Sequence, residues 1–216
     1  MQAANLWTNC SKAILDWVYP VKCPLCGQLS DQSPCQTCVG EMSFAAPDFL
    51  EDDSPHLEFR ACVYAYSGRA AQAVRELKYG RSTSLADFMA GKVAERASEV
   101  STPRELVVPV PMHVSRASLR GFNQSILLAS QLEGHEVSTT ALRRIRATRP
   151  QAGLTQKQRD TNLTGAFQAV AEVQRRDVLL IDDVVTTGHT ARECAKALRE
   201  AGARSVGILA FAGNLD

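Results

Sequence analysis

Two stretches of this chain carry side chains whose types and spacing can do chemistry. The first reads Val178-Leu-Leu-Ile-Asp182-Asp183-Val184-Val185-Thr186-Thr187-Gly188-His189-Thr190. An apolar strand here delivers two adjacent carboxylates to the carboxyl end of a sheet, where open α/β folds bind their ligands. The turn that follows holds hydroxyls on Thr186, Thr187 and Thr190, and Gly188 lets the backbone approach a ligand closely. It leads into a helix whose first N–H groups lack intrahelical acceptors and lie at the positive end of the helix dipole. That combination is a phosphate cradle, and acids placed just ahead of it accept hydrogen bonds from sugar hydroxyls. The segment is therefore read as a site for a ribose 5-phosphate, against the plainer reading of a buried strand and a threonine-capped helix.

The second stretch is Cys23-Pro-Leu-Cys26, then eight residues, then Cys35-Gln-Thr-Cys38. Four thiolates in this spacing can close one tetrahedral Zn²⁺ site with no open coordination position, which makes the metal structural. A small module with few large apolar residues also needs such a centre to fold. An iron–sulfur centre, or unligated redox-active thiols, are the alternatives for the same four residues. Cys10, Cys62 and Cys194 are scattered, and Cys194 shares a helical face with Ala191, Ala195 and Leu198, which reads as core.

The elements that must position these residues follow from apolar periodicity. An amphipathic helix is expected over Asn5–Val18 and is stopped by Pro20. Strands are expected over Phe59–Tyr66, Leu106–Val110, Val178–Ile181 and Ser205–Phe211. Helices are expected over Arg69–Leu77, Leu85–Val100, Phe122–Leu132 and Thr190–Ala201. Strands alternating with helices predict an α/β fold with a mostly parallel sheet. Three parts are expected: a helix and cysteine module over 1–44, an acidic linker over 45–58, and a ligand-binding domain over 59–216. The linker holds five acids, Asp48, Glu51, Asp52, Asp53 and Glu58, and no Lys or Arg. Ala141–Arg159 is the opposite, with cations at Arg143, Arg144, Arg146, Arg149, Lys157 and Arg159 and no acid. With little apolar periodicity, it reads as a mobile or ligand-facing loop.

The formal net charge of +1 excludes a polycation, so any nucleic-acid contact must come from a local patch such as this one. The first residues show no secretory pattern, and no run approaches the roughly 18 apolar residues of a membrane span. The chain is therefore expected in the cytoplasm, where a double CxxC reads as a metal site rather than a disulfide frame.

The segment 178–190 closely resembles the 5-phosphoribosyl-1-pyrophosphate (PRPP) motif of type I phosphoribosyltransferases. The resemblance implies that Asp182 and Asp183 hold the ribose hydroxyls and that Val184–Thr190 cup the 5-phosphate. It sets Pro109–Met112, including Val110 and Pro111, at the pyrophosphate loop, and makes 141–162 the catalytic loop, with Arg146 and Arg159 acting on the leaving group. Mg²⁺ would accompany PRPP, and Lys78 would reach pyrophosphate from the edge, unless it is simply a solvated helix-end lysine. The cysteine pattern joins Leu77-Lys78-Tyr79, Val108-Pro-Val-Pro-Met112, Arg120-Gly-Phe-Asn-Gln124, Arg146-Ala-Thr-Arg-Pro-Gln151, Arg159-Asp-Thr-Asn162 and Gly165-Ala-Phe167. With the PRPP motif, this set is similar to the ComF (competence protein F, GntX-like) family from about Val21 to Phe211. That resemblance implies a zinc module on a phosphoribosyltransferase fold, a link to DNA uptake or use of external DNA, and single-stranded DNA and DNA-processing proteins as partners. A salvage or biosynthetic phosphoribosyltransferase with another acceptor, or an adaptor without turnover, are the other readings. His113 and His189 have no evident partner in the sequence, and His189 is expected to face solvent.

Overall fold

The longest apolar runs of the sequence become the central strands of a computed structural model that describes residues 22–45, 50–80, 82–100, 104–113, 121–146 and 163–214. The helix expected over 5–18, Arg159 and most of the basic stretch lie outside the described residues. Strands β6 (Asp177–Val185) and β7 (Ser205–Gly213) lie side by side, flanked by β2 (Phe59–Ala65) and β3 (Leu106–Pro109); with the edge strand β1 (Leu50–Glu51) the sheet order is β1-β2-β7-β6-β3. Strands β2, β7, β6 and β3 run parallel, in registers such as Val178 opposite Val206 and Leu106 opposite Val178. Both faces are covered, which is why β6 and β7 are nearly continuous runs of apolar residues.

The pleat splits β6 between two cores. Leu179 and Ile181 face a layer built by α2 (Gly68–Tyr79), α3 (Thr83–Ala97) and α4 (Gln124–Ala129), with Val74, Leu85, Met89, Val93 and Leu128 turned inward. Val178 and Leu180 face α5 (His189–Glu200) and a small antiparallel pair, β4 (Leu142–Arg144) and β5 (Phe167–Ala169). Helix α5 buries Ala191, Cys194, Ala195 and Leu198, the i, i+3, i+4, i+7 stripe read from the sequence. Cys194 is thus core.

The cysteine module, residues 22–45 with the short helix α1 (Gln36–Gly40), packs directly on α2 and α3. Cys23, Leu25, Cys35, Cys38 and Met42 share the first core, and Ser33 Oγ meets Ser84 Oγ at 2.8 Å. The chain leaving it lies along the end of β2, where Ala45 N–H donates to the Val63 carbonyl and Ala65 N–H to the Ser43 carbonyl.

Two expectations need correction. Residues 50–58 are no free linker. Leu50–Glu51 form β1, antiparallel to β2, Leu57 is buried, and the Asp52 carboxylate lies fully buried against Arg60 and Arg192. The exposed ladder of β2 and two cations beside it give this acidic segment a docking place that composition does not display. The start of the basic stretch is no loop either: Ala141 and Leu142 are buried, and β4 alternates Leu142 inward with Arg143 outward. A three-residue strand is too short for its period to show through a run of arginines. Strand β6 also runs on past Ile181, so both acids sit within it.

Close packing gives Gly207 a specific role. A Cβ on Gly207 of β7 would overlap the Phe59 ring on β2. Gly207→Ala is expected to lower stability by about 1–3 kcal/mol, as overpacking does. Chemical denaturation checks this, and an unchanged midpoint would contradict the packing described.

Candidate functional site

Strands β3 and β6 are neighbours, yet the chain leaving β3 turns to α4 on one face of the sheet and the chain leaving β6 turns to α5 on the other. Such a divergence opens a crevice at the carboxyl ends of the strands. A cavity of about 280 Å³ lies there. It brings together Lys78, Val110, Pro111, Asp182, Asp183 and every residue of Val184–Thr190.

The two carboxylates are held differently. Asp182 Oδ1 accepts from Ser125 Oγ at 3.0 Å and from the Asp183 N–H at 2.9 Å. Burial, reinforced by the neighbouring Asp183 charge, pushes the Asp182 carboxyl up to about 7. Asp183 instead pairs with Lys78, Nζ to Oδ2 at 3.0 Å. Burial pushes the Lys78 ammonium down, but the Asp183 carboxylate outweighs it and holds Lys78 above the ordinary lysine range. Lys78 is therefore an ion-paired wall of the crevice, not the solvated helix end that its sequence context allows.

Gly188 caps α5 with φ of +75°, a left-handed conformation that glycine adopts without strain. The first-turn N–H groups of an α-helix have no carbonyl of their own helix to meet them, and the first turn of α5 borders the crevice. Behind this loop lie two guanidinium groups. A Cβ on Gly188 would come within 3.2 Å of Arg60 Cδ, and Arg192 Nη1 donates to the Thr187 carbonyl at 3.4 Å. Asp52 ties both together: Arg192 donates from Nε at 2.8 Å and Nη2 at 2.9 Å, and Arg60 Nε lies 2.7 Å away. Burial raises the Asp52 carboxyl, yet the Arg192 hydrogen bond and the cationic pair win and hold it below the usual range.

Met112 of the expected pyrophosphate loop and Asn123 and Gln124 of the Arg120–Gln124 motif also border the cavity, as do Ser125 and Arg144, neither of them singled out in the sequence. Asn123 accepts from the Ser125 N–H, capping α4, and donates from Nδ2 to the Val110 carbonyl at 3.0 Å, so one side chain joins the β3 loop to α4. An Asn just before an apolar helical run is a readable cap signal. Arg144 was hidden among five other cations. Arg146, by contrast, is exposed and donates to the Thr164 carbonyl at 2.6 Å, away from the residues lining the cavity. His189, expected in solvent, is the first residue of α5, lines the cavity and is half-buried.

The four module cysteines converge as their spacing requires. Their sulfurs lie within 4.8 Å of one another, and Cys23, Cys35 and Cys38 are buried. Cys26 Sγ and Cys35 Sγ are 3.8 Å apart. That is far beyond a disulfide bond of about 2.05 Å, and it equals the edge of a tetrahedron with metal–sulfur bonds of about 2.3 Å. Burial pushes the Cys23 thiol up, but backbone N–H groups of Cys35, Leu25 and Cys26 outweigh this and bring it down to about 6. The donor set fits a closed four-sulfur metal site.

Residues 120–216 match the family description "Phosphoribosyl transferase domain". The DNA utilization protein YhgH of Escherichia coli (strain K12) is 30% identical over 197 residues, covering 86% of this chain and 81% of that protein. Competence protein F of Haemophilus influenzae is 34% identical over 131 residues, 58% of this chain and 57% of its own. Competence protein ComFC of Bacillus subtilis (strain 168) is 26% identical over 186 residues, covering 83% of this chain and 72% of that protein. No helix among the described residues is long and apolar enough to cross a membrane.

The Asp182 carboxyl, raised in the folded state, favours folding at low pH. Its contribution declines as pH climbs from the ordinary carboxylate range, about 4, to about 7. Carboxyl-carbon NMR is expected to show Asp182 titrating near 7 and moving down in Asp183→Asn. An Asp182 that titrates in the ordinary range in the wild type would contradict the crevice described.

Proposed function

The chain belongs to the ComF family within the type I phosphoribosyltransferase superfamily, and from that premise we propose that its crevice binds PRPP with Mg²⁺ in the service of DNA uptake or use of external DNA. The observation that carries this reading is the Asp182–Asp183 pair standing directly ahead of a glycine-capped helix start at the sheet's switch point.

In this reading Asp182 and Asp183 accept hydrogen bonds from the ribose hydroxyls, and Val184–Thr190 surround the 5-phosphate with backbone N–H groups and threonine hydroxyls. Val110 and Pro111 border the pyrophosphate, with Lys78 and Arg144 as the cations that reach it from the crevice walls. Arg146 and Arg159, on the adjoining basic stretch, close over it as PRPP binds. Mg²⁺, bound with the pyrophosphate, supplies charge neutralisation to the leaving group. The bond from the anomeric carbon to pyrophosphate oxygen breaks as an acceptor's lone pair forms the new bond, and the two acids face the positive charge that develops on the ribose. No protein nucleophile takes part.

The cysteine centre holds Zn²⁺ as a structural ion, since four sulfurs leave no position for a substrate. The basic stretch also offers phosphate-binding side chains to single-stranded DNA, by charge rather than by base reading. A reducing, cytoplasmic setting suits the six described cysteines, none of which forms a disulfide.

Calorimetric titration with PRPP and Mg²⁺ tests the reading. Saturable binding is expected in the wild type. An Asp182→Asn/Asp183→Asn variant is expected to weaken it by roughly 10²-fold or more, the loss of two charged hydrogen-bond acceptors. Folded, zinc-loaded wild-type protein that gives no binding would sink the PRPP assignment. Pyrophosphate release with added acceptors then separates an enzyme from a sensory site.

A further inference from the structure

Helix α2 touches both centres. At its start, Arg69 Nη1 and Gln72 Nε2 donate to the Leu25 carbonyl at 3.2 and 2.7 Å. Leu25 lies between Cys23 and Cys26, inside the loop that four sulfurs close. Arg69 also donates from Nε to Glu41 at 2.6 Å and from Nη1 to Gln72 Oε1 at 2.9 Å, so the two anchors brace one another. At the other end of the same helix, Lys78 reaches Asp183 at 3.0 Å. The buried face of α2 is largely alanine, Ala70, Ala71 and Ala73, beside Val74 and Leu77, and small side chains make shallow ridges that set register weakly.

A helix is a stiff rod, and the nine steps from Arg69 to Lys78 span about 13 Å at about 1.5 Å per residue. Fixing the first turn against Leu25 therefore fixes where the last turn sets Lys78. Its stem starts from that last turn, so the place of the turn sets which of its rotamers reach Asp183. A displacement of about 1 Å at such a group is enough to weaken ligand binding and chemistry.

We propose that Arg69 and Gln72 are positioning residues, through which the metal-closed cysteine module holds α2 as a strut and sets Lys78 in the crevice for a pyrophosphate-bearing ligand. The ligand part of this rests on the PRPP reading of the crevice. The module then has a defined task for the distant site: opening it frees the Leu25 carbonyl, releases the first turn of α2 and lets Lys78 swing from Asp183.

The test uses the full chain with Gln72→Ala and Arg69→Ala, each checked for folding and bound metal. The first readout, which needs no ligand, is the ¹⁵N NMR order of the Lys78 ammonium group. The wild type is expected to show a restricted ammonium and the variants one as mobile as an exposed lysine. The second is affinity for PRPP with Mg²⁺, expected to fall about 5- to 10-fold in each variant. In a Lys78→Met background the same substitutions are expected to change it less than about 2-fold, since coupled residues are not additive. An unmoved Lys78 ammonium in both variants, or an affinity loss undiminished without Lys78, overturns the strut. If the wild type fails to bind PRPP, the functional reading falls, and the ammonium measurement by itself decides the strut.

Discussion

Two carboxylates on consecutive residues, at the half-buried end of a parallel strand, repel each other and resist burial. The rest of the crevice is arranged around that cost. Asp183 has Lys78 as counter-ion, and Asp182 has the Ser125 hydroxyl and the Asp183 N–H. Each partner comes from a different element, α2, α4 and β6, so the crevice exists only when that helical layer is packed on the sheet. Even so, Asp182 remains raised, because one cation cannot offset two adjacent anions in a poorly solvated place. A ligand that brings hydroxyl donors and a divalent cation supplies what the protein alone does not.

The loop at the start of α5 solves the converse problem. Arg60 and Arg192 stand behind it, and the buried Asp52 neutralises part of their charge while fixing their position. Buried ion pairs contribute little net stability, because desolvation offsets attraction, but they impose one geometry. Here that geometry joins the edge strand β1, strand β2 and the first turn of α5. Acids at the strand end and cations behind the loop divide the crevice into an anionic part and a cationic part, which the proposed reading gives to the ribose hydroxyls and the 5-phosphate.

Much of this was readable in the sequence, and what was not has physical reasons. The strand, paired acids and threonine–glycine turn of 178–190 declare themselves because each needs a particular residue type at a particular place. The four cysteines do so for the same reason, and the α5 stripe follows from helical period. Lys78 looked like an ordinary helix-end lysine because its partner, Asp183, is remote in sequence and adjacent only after α2 crosses the strand ends. Asp52 looked like one more linker acid, since no local pattern marks a carboxylate destined for burial between arginines brought in by β2 and α5. Arg144 and Arg146 are two residues apart in one basic run, yet only Arg144 lines the cavity. The strand that distinguishes them is three residues long and borrows its stability from β5 and α5.

A crystal structure of the protein with PRPP and Mg²⁺ tests the central claim most directly. The account predicts the 5-phosphate on the backbone of 186–190, the ribose hydroxyls on Asp182 and Asp183, and the pyrophosphate between the Val110–Pro111 turn and Lys78. PRPP bound elsewhere, or bound with its 5-phosphate off the α5 start, would contradict it.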